Sequence, residues 1–350
     1  MNGTRNSALR RLLEPKDVNS MSPAGKTVTY GLLAFWAAVV LFPLYWVLIT
    51  SLKLPIHVND GPLYIPFIDF APSLHAWEYI FFELGNDTLR PYLNSILIAF
   101  FSTVLAVGIG SMAAYALVRF QYRPRFASII AFLLILAVVV WMTIAVDLHW
   151  SLSVAIGLAL FFLFLNTLGK RFQTRVGNDD ILFWIISQRI LPPVVAVLPI
   201  YVMFQQMRLL DTHIALIVTY MTVNLPIAVW LMRDFFASIP MDLEESAQID
   251  GASRFQILLG IIMPLAKPGL AATSLFVLIL SWNEYLLALF LSTADAQTMP
   301  LLVAAQNATR GPQWWYMSVL IVIMIVPVIV MAGILQRFIA RGLLIGAVKG

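Results

Sequence analysis

The sequence predicts an all-α integral membrane protein, a polytopic bundle of about eight transmembrane helices. Composition is the first observation behind this reading. Of 350 residues, 61% are hydrophobic and only 11% charged, with a mean hydropathy of +0.87. Soluble domains run at roughly 45–50% apolar and about 25% charged. The second observation is that apolar stretches of about 20 residues, enough to cross a hydrocarbon core of roughly 30 Å, recur along almost the whole chain.

In order, these spans are predicted near 28–52, 93–117, 127–146, 150–168, 181–206, 213–233, 268–292 and 316–337. The first apolar run begins near Val28 and is too long for a signal-peptide core of roughly 7–15 residues. Residues 1–27 are therefore expected to remain in the cytoplasm. Residues 28–92 should form the first helix and an external loop, 93–337 the main transmembrane domain, and 338–350 a cytoplasmic tail. Eight crossings place both termini inside.

With that orientation, 17 of the 22 basic residues lie in inner segments. Lys53, Arg90, Arg208 and Arg310 lie outside, and Arg189 falls within a span. The asymmetry follows the positive-inside rule and accounts for the net charge of +4 without nucleic acid. The long outer segments 53–92 and 293–315 carry Trp77, Tyr79, Trp314 and Trp315, which suit either an interfacial aromatic belt or a docking surface. The third and fourth spans read as a tight hairpin. Asp147, His149 and Trp150 supply its outer turn, and Arg123, Arg125, Lys170 and Arg171 flank its inner ends.

Several chemistries are disfavoured. With no cysteine there is no disulfide, thiolate metal site or cysteine nucleophile. Gly25-Lys26-Thr27 resembles the end of a P-loop, but Ser20 occupies the first glycine position and no strand precedes it. His57, His75, His149 and His213 are scattered, with neither H-E-x-x-H nor G-x-S-x-G present. A secondary transporter or channel remains the alternative function class. It needs intramembrane ionisable relays, and only Arg189 and Glu284 stand out.

The inner loop from Ile239 to Leu270 is too polar at its start to cross the membrane. Pro240 suits a first helical turn, and Asp242, Glu244 and Glu245 place negative charge at the positive end of the helix dipole. Gly251 can adopt the left-handed conformation that ends the helix. Ser253 and Gln256 have capping-box spacing, so a second helix can run through Phe255, Ile257 and Leu258 toward Pro264. The expected product is a helix-turn-helix elbow, either docking a cytoplasmic partner or lying on the lipid surface.

Glu245, Ala247, Gly251, Ile261 and Pro264 match the spacing of the EAA loop of bacterial ABC importer permeases, with Ser246 and Met263 as departures. The chain thus resembles that family, from about Tyr30 to Gly350 except the third and fourth spans. N-S-I-L-I from Asn94, A-A-Y-A-L-V-R-F from Ala113, L-P-P-V-V from Leu191, S-W-N-E-Y from Ser281 and the tail G-L-L-I-G-A-V-K-G from Gly342 are similar to the carbohydrate-uptake branch. Within that branch they are similar to the smaller maltose-transporter permease.

This resemblance implies a type I ABC importer fold in the bacterial inner membrane, without an ATPase site or bound cofactor of its own. It implies a second homologous permease, two copies of an ATP-binding subunit holding ATP and Mg, an extracytoplasmic solute-binding protein and a sugar substrate. The coupling loop would be residues 239–266. Coupling roles are carried to Glu244, Glu245, Ala247, Asp250, Gly251, Ala252, Arg254, Phe255, Ile261 and Pro264. The outer segment Thr298 to Gln306 resembles the part that reaches the binding protein, and Gly346 to Gly350 one that contacts the ATPase. Family members usually have six helices, so roughly 55 extra residues imply an inserted hairpin near 126–168.

Polar residues within a bilayer usually face a cavity or a neighbouring helix. Asn94, Arg189, Trp282, Asn283 and Glu284 are the candidate substrate-pathway residues, since planar polar groups and aromatic faces bind sugars. Snorkelling for Arg189 and helix packing for Trp282 and Asn283 are the competing readings. Asn224 before Pro226 is a weaker pathway candidate. Gly108 and Gly110 suit close helix contact.

Overall fold

The computed structural model describes residues 21–61, 63–172, 174–307 and 311–346, and among these the regular structure is helical apart from two isolated bridges. The expected cytoplasmic segment lies mostly outside the described residues, as does the tail after Gly346. Two compact units emerge. One holds the described residues up to Pro91 together with Met299–Pro327; the other holds Tyr92–Thr298 and the chain from Val328.

In the first unit, helix α1 (Pro23–Thr50) starts where the Ser22 hydroxyl accepts from the Gly25 N–H at 3.1 Å, with Pro23 in the first turn where its missing N–H costs nothing. Its apolar side chains are exposed along most of its length, as lipid or a partner helix requires. Past its end, Lys53 is only 1% exposed, and its ammonium lies 4.4 Å from the Trp46 ring centroid and 5.2 Å from that of Phe70. Loss of hydration lowers its pKa, opposed by the charge of Asp69. Tyr79 stacks on Tyr316 with centroids 4.4 Å apart.

Helix α2 (Gly85–Arg119) leads into the second unit. Helices α3 (Phe126–Ala145) and α4 (Trp150–Asn166) form the expected hairpin. Gly157 makes close approach possible, because a Cβ there would lie 2.3 Å from a Val139 methyl carbon. Helices α5 (Asn178–Ser187) and α6 (Pro193–Gln206) are bent by 89° around a tight turn at Gln188–Ile190. Pro192 and Pro193 cause the break: each lacks an N–H, and the residue before a proline avoids the helical region.

Helix α7 (His213–Ala237) is followed by α8 (Asp242–Ile249) and α9 (Arg254–Ile257). Then come α10 (Lys267–Trp282), α11 (Leu286–Leu291), the first-unit helix α12 (Met299–Ala305) and α13 (Trp314–Gly346). Among the described residues, five helices are long and apolar enough to span a membrane, or up to seven if each bent pair counts once; α4, at 17 residues, falls short. All eight predicted segments are helical, but the fifth is bent and the seventh is interrupted at residues 283–285. A count by hydropathy treats such broken spans as continuous.

Burial separates the helices. The most apolar window is 44% buried in both α2 and α7, against 6% in α1 and α3. The core of the second unit thus lies around α2 and α7, with Ile98, Val197, Phe204, Leu216, Tyr220 and Leu287 in one cluster. A Cβ on Gly110 would sit 2.8 Å from that of Ala228, and one on Gly269 would sit 2.3 Å from the Phe235 ring. Gly108 differs from the expectation, since nothing lies within 4 Å of a Cβ there. Its side of α2 faces away from α7, two residues around the helix from Gly110.

Replacing Gly269 by Ala should overpack the α7–α10 contact, costing roughly 1–3 kcal/mol and lowering the thermal midpoint in detergent. Gly108→Ala should cause no loss. Equal behaviour of the two variants would mean that the Phe235 contact does not limit packing.

Candidate functional site

The elbow begins one step later than the sequence suggests. Pro240 lies outside α8, whose N-cap is Met241, so the acidic residues Asp242, Glu244 and Glu245 supply the first turn. They still oppose the positive end of the helix dipole. Gly251 ends α8 with φ +82°, a conformation that an L side chain would strain, and Ala252 N–H closes the turn on the Ala247 carbonyl at 3.0 Å. Ser253 and Gln256 form a reciprocal capping box at the start of α9. The helix then widens into a π turn at Leu258–Ile262, where Met263 N–H reaches the Leu258 carbonyl five residues back. Pro264 lacks the N–H that would continue an ordinary ladder. A 79° bend separates this arm from α10.

The first acidic turn divides its labour. Glu244 is 0% exposed; its carboxylate accepts from the Tyr115 hydroxyl at 2.7 Å and pairs with the Arg119 guanidinium. The same guanidinium donates to the Ile239 carbonyl at 2.9 Å. Tyr115 and Arg119 are four apart and share one face of the last turns of α2. Asn178 caps that helix end, donating to the Leu117 carbonyl at 2.7 Å and the Phe120 carbonyl at 2.6 Å. The Arg254 guanidinium lies 5.5 Å from the Phe120 ring centroid, a cation–π contact. Ala247, Ile257, Leu258 and Ile262 pack with Met232 and Phe236 beneath the elbow.

The opposite face is open. Glu245, Asp250, Gly251, Arg254 and Pro264 are exposed, and Ala252 and Ile261 are half-buried. Among them stand two apolar side chains, Ile249 at 87% and Phe255 at 63% exposure. A soluble loop would gain by hiding such residues, so a rigid elbow that presents them offers a ready contact surface. Tyr115 and Arg119 carried no role in the sequence reading. The available signal was a tyrosine and a basic residue four positions apart on one helix face, and sequence alone does not show which acid they meet.

The five pathway candidates fall in three places. Asn94 is buried; its amide donates to the Asp295 and Gln297 carbonyls, both at 2.9 Å, and its oxygen lies 2.7 Å from His213 Nε2. It serves as an internal strut. Arg189 is exposed at the α5–α6 bend and donates to the Val223 carbonyl at 3.1 Å. Trp282 is buried edge-on to Tyr92, with ring centroids 5.8 Å apart. At the α10–α11 break, exposed Asn283 donates to the Ile279 carbonyl at 2.8 Å, and Glu284 accepts from Leu287 N–H at 3.1 Å. These two residues close the helix ends they interrupt. A buried polar node was not foreseen as such: Asn224 donates to Ser281 Oγ at 3.0 Å, and Ser102 Oγ lies 3.2 Å from that same oxygen.

Asp211, at the turn before α7, holds the segment that leads toward α12. Its carboxylate accepts from the N–H groups of Thr293, Ala294, Asp295 and Ala296 and from the Thr293 hydroxyl, all at 2.8–3.1 Å. Partial burial raises its pKa, but the hydrogen bonds from Ala296, Asp295 and Thr293 outweigh it and hold the carboxyl well below the ordinary aspartate range.

Comparison with known proteins agrees with this architecture. The model for binding-protein-dependent transport system inner membrane components matches residues 175–345. The chain is 30% identical to a probable ABC transporter permease protein of Sinorhizobium fredii, an alignment covering 90% of this chain and 94% of that protein. It is 28% identical to the trehalose/maltose transport system permease protein of Thermococcus litoralis, covering 90% and 93% respectively. Identity to the trehalose transport system permease protein of Mycobacterium tuberculosis is 30%, over 90% of this chain and 97% of that one. The fold matches a chain in the crystal structure of a bacterial ABC transporter that imports the acidic polysaccharide alginate. The TM-score is 0.57 at 21% identity, covering 89% of this chain and 95% of that one.

Two outcomes follow for stability in detergent. Glu244→Ala leaves the Arg119 charge buried without its partner and should cost about 3–5 kcal/mol, whereas Glu245→Ala on the open face should change the midpoint by less than about 0.5 kcal/mol. Equal midpoints would remove the clamp from the elbow's support. Asp211 has a depressed folded-state pKa, so its stabilisation is present above the unfolded value of about 3.9 and is lost as pH falls through the folded value. Asp211→Asn should therefore be less stable than the parent at neutral pH, with the gap closing only on acidification below about pH 4.

Proposed function

Because the chain belongs to the family of binding-protein-dependent transport system inner membrane components, we propose that it works as one of two permease subunits whose elbow receives the motion of a separate ATPase. It is a multi-pass inner-membrane permease of the carbohydrate ABC importer class. Beyond that class statement, the reading assigns it a second homologous permease, two ATP-binding subunits that hold ATP and Mg, and an extracytoplasmic binding protein delivering a sugar or sugar-like solute. The chain itself binds no cofactor and hydrolyses no ATP, and both termini face the cytoplasm.

The observation that carries the coupling role is the two-sided construction of α8 and α9. One side is anchored to α2 through Glu244, Tyr115 and Arg119. The other presents Glu245, Ile249, Asp250 and Phe255 to solvent. A push on the open face meets a buried ionic clamp rather than a yielding loop, so displacement passes to α2 and, through the π turn, toward α10. Rigid elements that move as bodies are how such transitions propagate. Arg189 and Asn283, the exposed members of the candidate set, are proposed to line the pathway, with Trp282 behind them.

Ile249→Asp and Phe255→Asp should each weaken co-purification of the ATPase by at least roughly ten-fold, the scale of a truncated interface anchor. Binding-protein-stimulated ATP hydrolysis and uptake of a labelled disaccharide should fall together in reconstituted vesicles. Full ATPase binding and stimulation in both variants would sink the coupling assignment. Uptake driven by a proton gradient without ATP would favour a secondary transporter instead.

A further inference from the structure

The hairpin of α3 and α4 is a closed excursion. Where the chain leaves and returns, Arg125 and Arg175 form an antiparallel bridge, with Phe126 N–H on the Thr174 carbonyl at 2.9 Å and Val176 N–H on the Pro124 carbonyl at 3.0 Å. This pairing fixes the two arginine-bearing segments against each other instead of leaving them as independent flanks that merely snorkel.

Two hollows of opposite character adjoin at this base. One, of about 290 Å³, is lined by Phe126, Ala127, Ile130 and Leu134 of α3 together with Phe164 and Phe172. Residues 126, 130 and 134 recur every four positions and form a row about 12 Å long, close to the roughly 15 Å depth of one leaflet's hydrocarbon. The other hollow, of about 570 Å³, is lined by Gln121, Tyr122, Arg123, Pro124 and Arg175. Arg125 and Arg171 add charge nearby, and among the described residues none of these four arginines has a carboxylate partner. The nearby acids are already engaged: Asp179 pairs with Arg233 at 3.1 Å, and Asp180 accepts from Gly177 N–H at 2.8 Å.

We propose that the base of this hairpin binds an anionic phospholipid, its phosphate between Arg123 and Arg175 and one acyl chain in the groove along Phe126, Ile130 and Leu134. Only an amphiphile satisfies both hollows. A free anion would leave the apolar groove unfilled, and an uncharged chain would leave the guanidinium charges without an anionic partner, since Arg123 donates only to the neutral Gln121 amide oxygen at 3.4 Å. The guanidinium fork suits phosphate, and basic pockets beside membrane helices select acidic headgroups. This assignment does not depend on the cargo or on ATPase coupling.

Native mass spectrometry of the full-length chain, extracted from bilayers holding equal phosphatidylglycerol and phosphatidylcholine, reads the site directly. The unaltered chain should retain phosphatidylglycerol preferentially, and excess inorganic phosphate should not displace it. In the Arg123→Gln/Arg175→Gln double variant that retention should fall roughly thirty-fold, the factor expected for two phosphate-facing cations. Ala127→Phe, which fills the groove and keeps every charge, should also lose the lipid, while Arg208→Gln at the predicted outer end should not. No headgroup preference in the unaltered chain would overturn the proposal without recourse to any variant. Displacement by phosphate, or full retention in Ala127→Phe, would equally overturn it, reducing the site to an anion cleft or to general surface charge.

Discussion

A carboxylate removed from water at the root of the elbow holds the elbow end of this molecule together. Burying Glu244 is tolerable only because the Arg119 charge and the Tyr115 hydroxyl meet it there. The same guanidinium reaches the Ile239 carbonyl, so one side chain of α2 fixes both the approach to α8 and its first turn. Asn178 caps the helix that carries this guanidinium. Residues near positions 119, 178 and 244 thus depend on one helix terminus. Apolar packing of Ile257, Leu258 and Ile262 supports the elbow from below, but packing is non-directional, and the ionic clamp gives it orientation.

Elsewhere the chain breaks its helices and repairs the consequences locally. Backbone groups freed within a membrane helix need partners, because lipid offers none. At the α10–α11 interruption, Asn283 and Glu284 answer a carbonyl and an N–H of their own flanking helices. At the α5–α6 bend, Arg189 reaches the carbonyl of Val223 on α7. Residues that look like pathway lining from their rarity in a bilayer therefore also have structural employment. Asn94 is the clearest case, with both amide N–H groups committed to the 295–297 backbone.

Glycine shows how context decides a role that composition suggests. Gly108 and Gly110 stand two apart on α2, and only Gly110 meets another helix closely. Gly269 and Gly157 do the same work at α7–α10 and within the α3–α4 hairpin. Nothing in the local sequence separates these positions, because the distinction lies in which face of each helix a neighbour occupies.

Much of the architecture was nevertheless legible in the sequence alone. Apolar length placed eight helical segments, since a bilayer imposes that length whatever the fold. The capping box at Ser253 and Gln256 and the left-handed Gly251 were readable because caps are local, set by residues within a few positions. Spacing from Glu245 to Pro264 carried the resemblance to the EAA loop, and the proposed coupling role of the elbow rests on that resemblance. Tertiary structure alone decided that Glu244 is the buried anchor and Glu245 the exposed neighbour, that Tyr115 and Arg119 grip it, and that the hairpin closes on itself at Arg125 and Arg175. Those pairings join residues 50 to about 130 positions apart, and such distant partners are chosen by how helices pack rather than by any pattern along the chain.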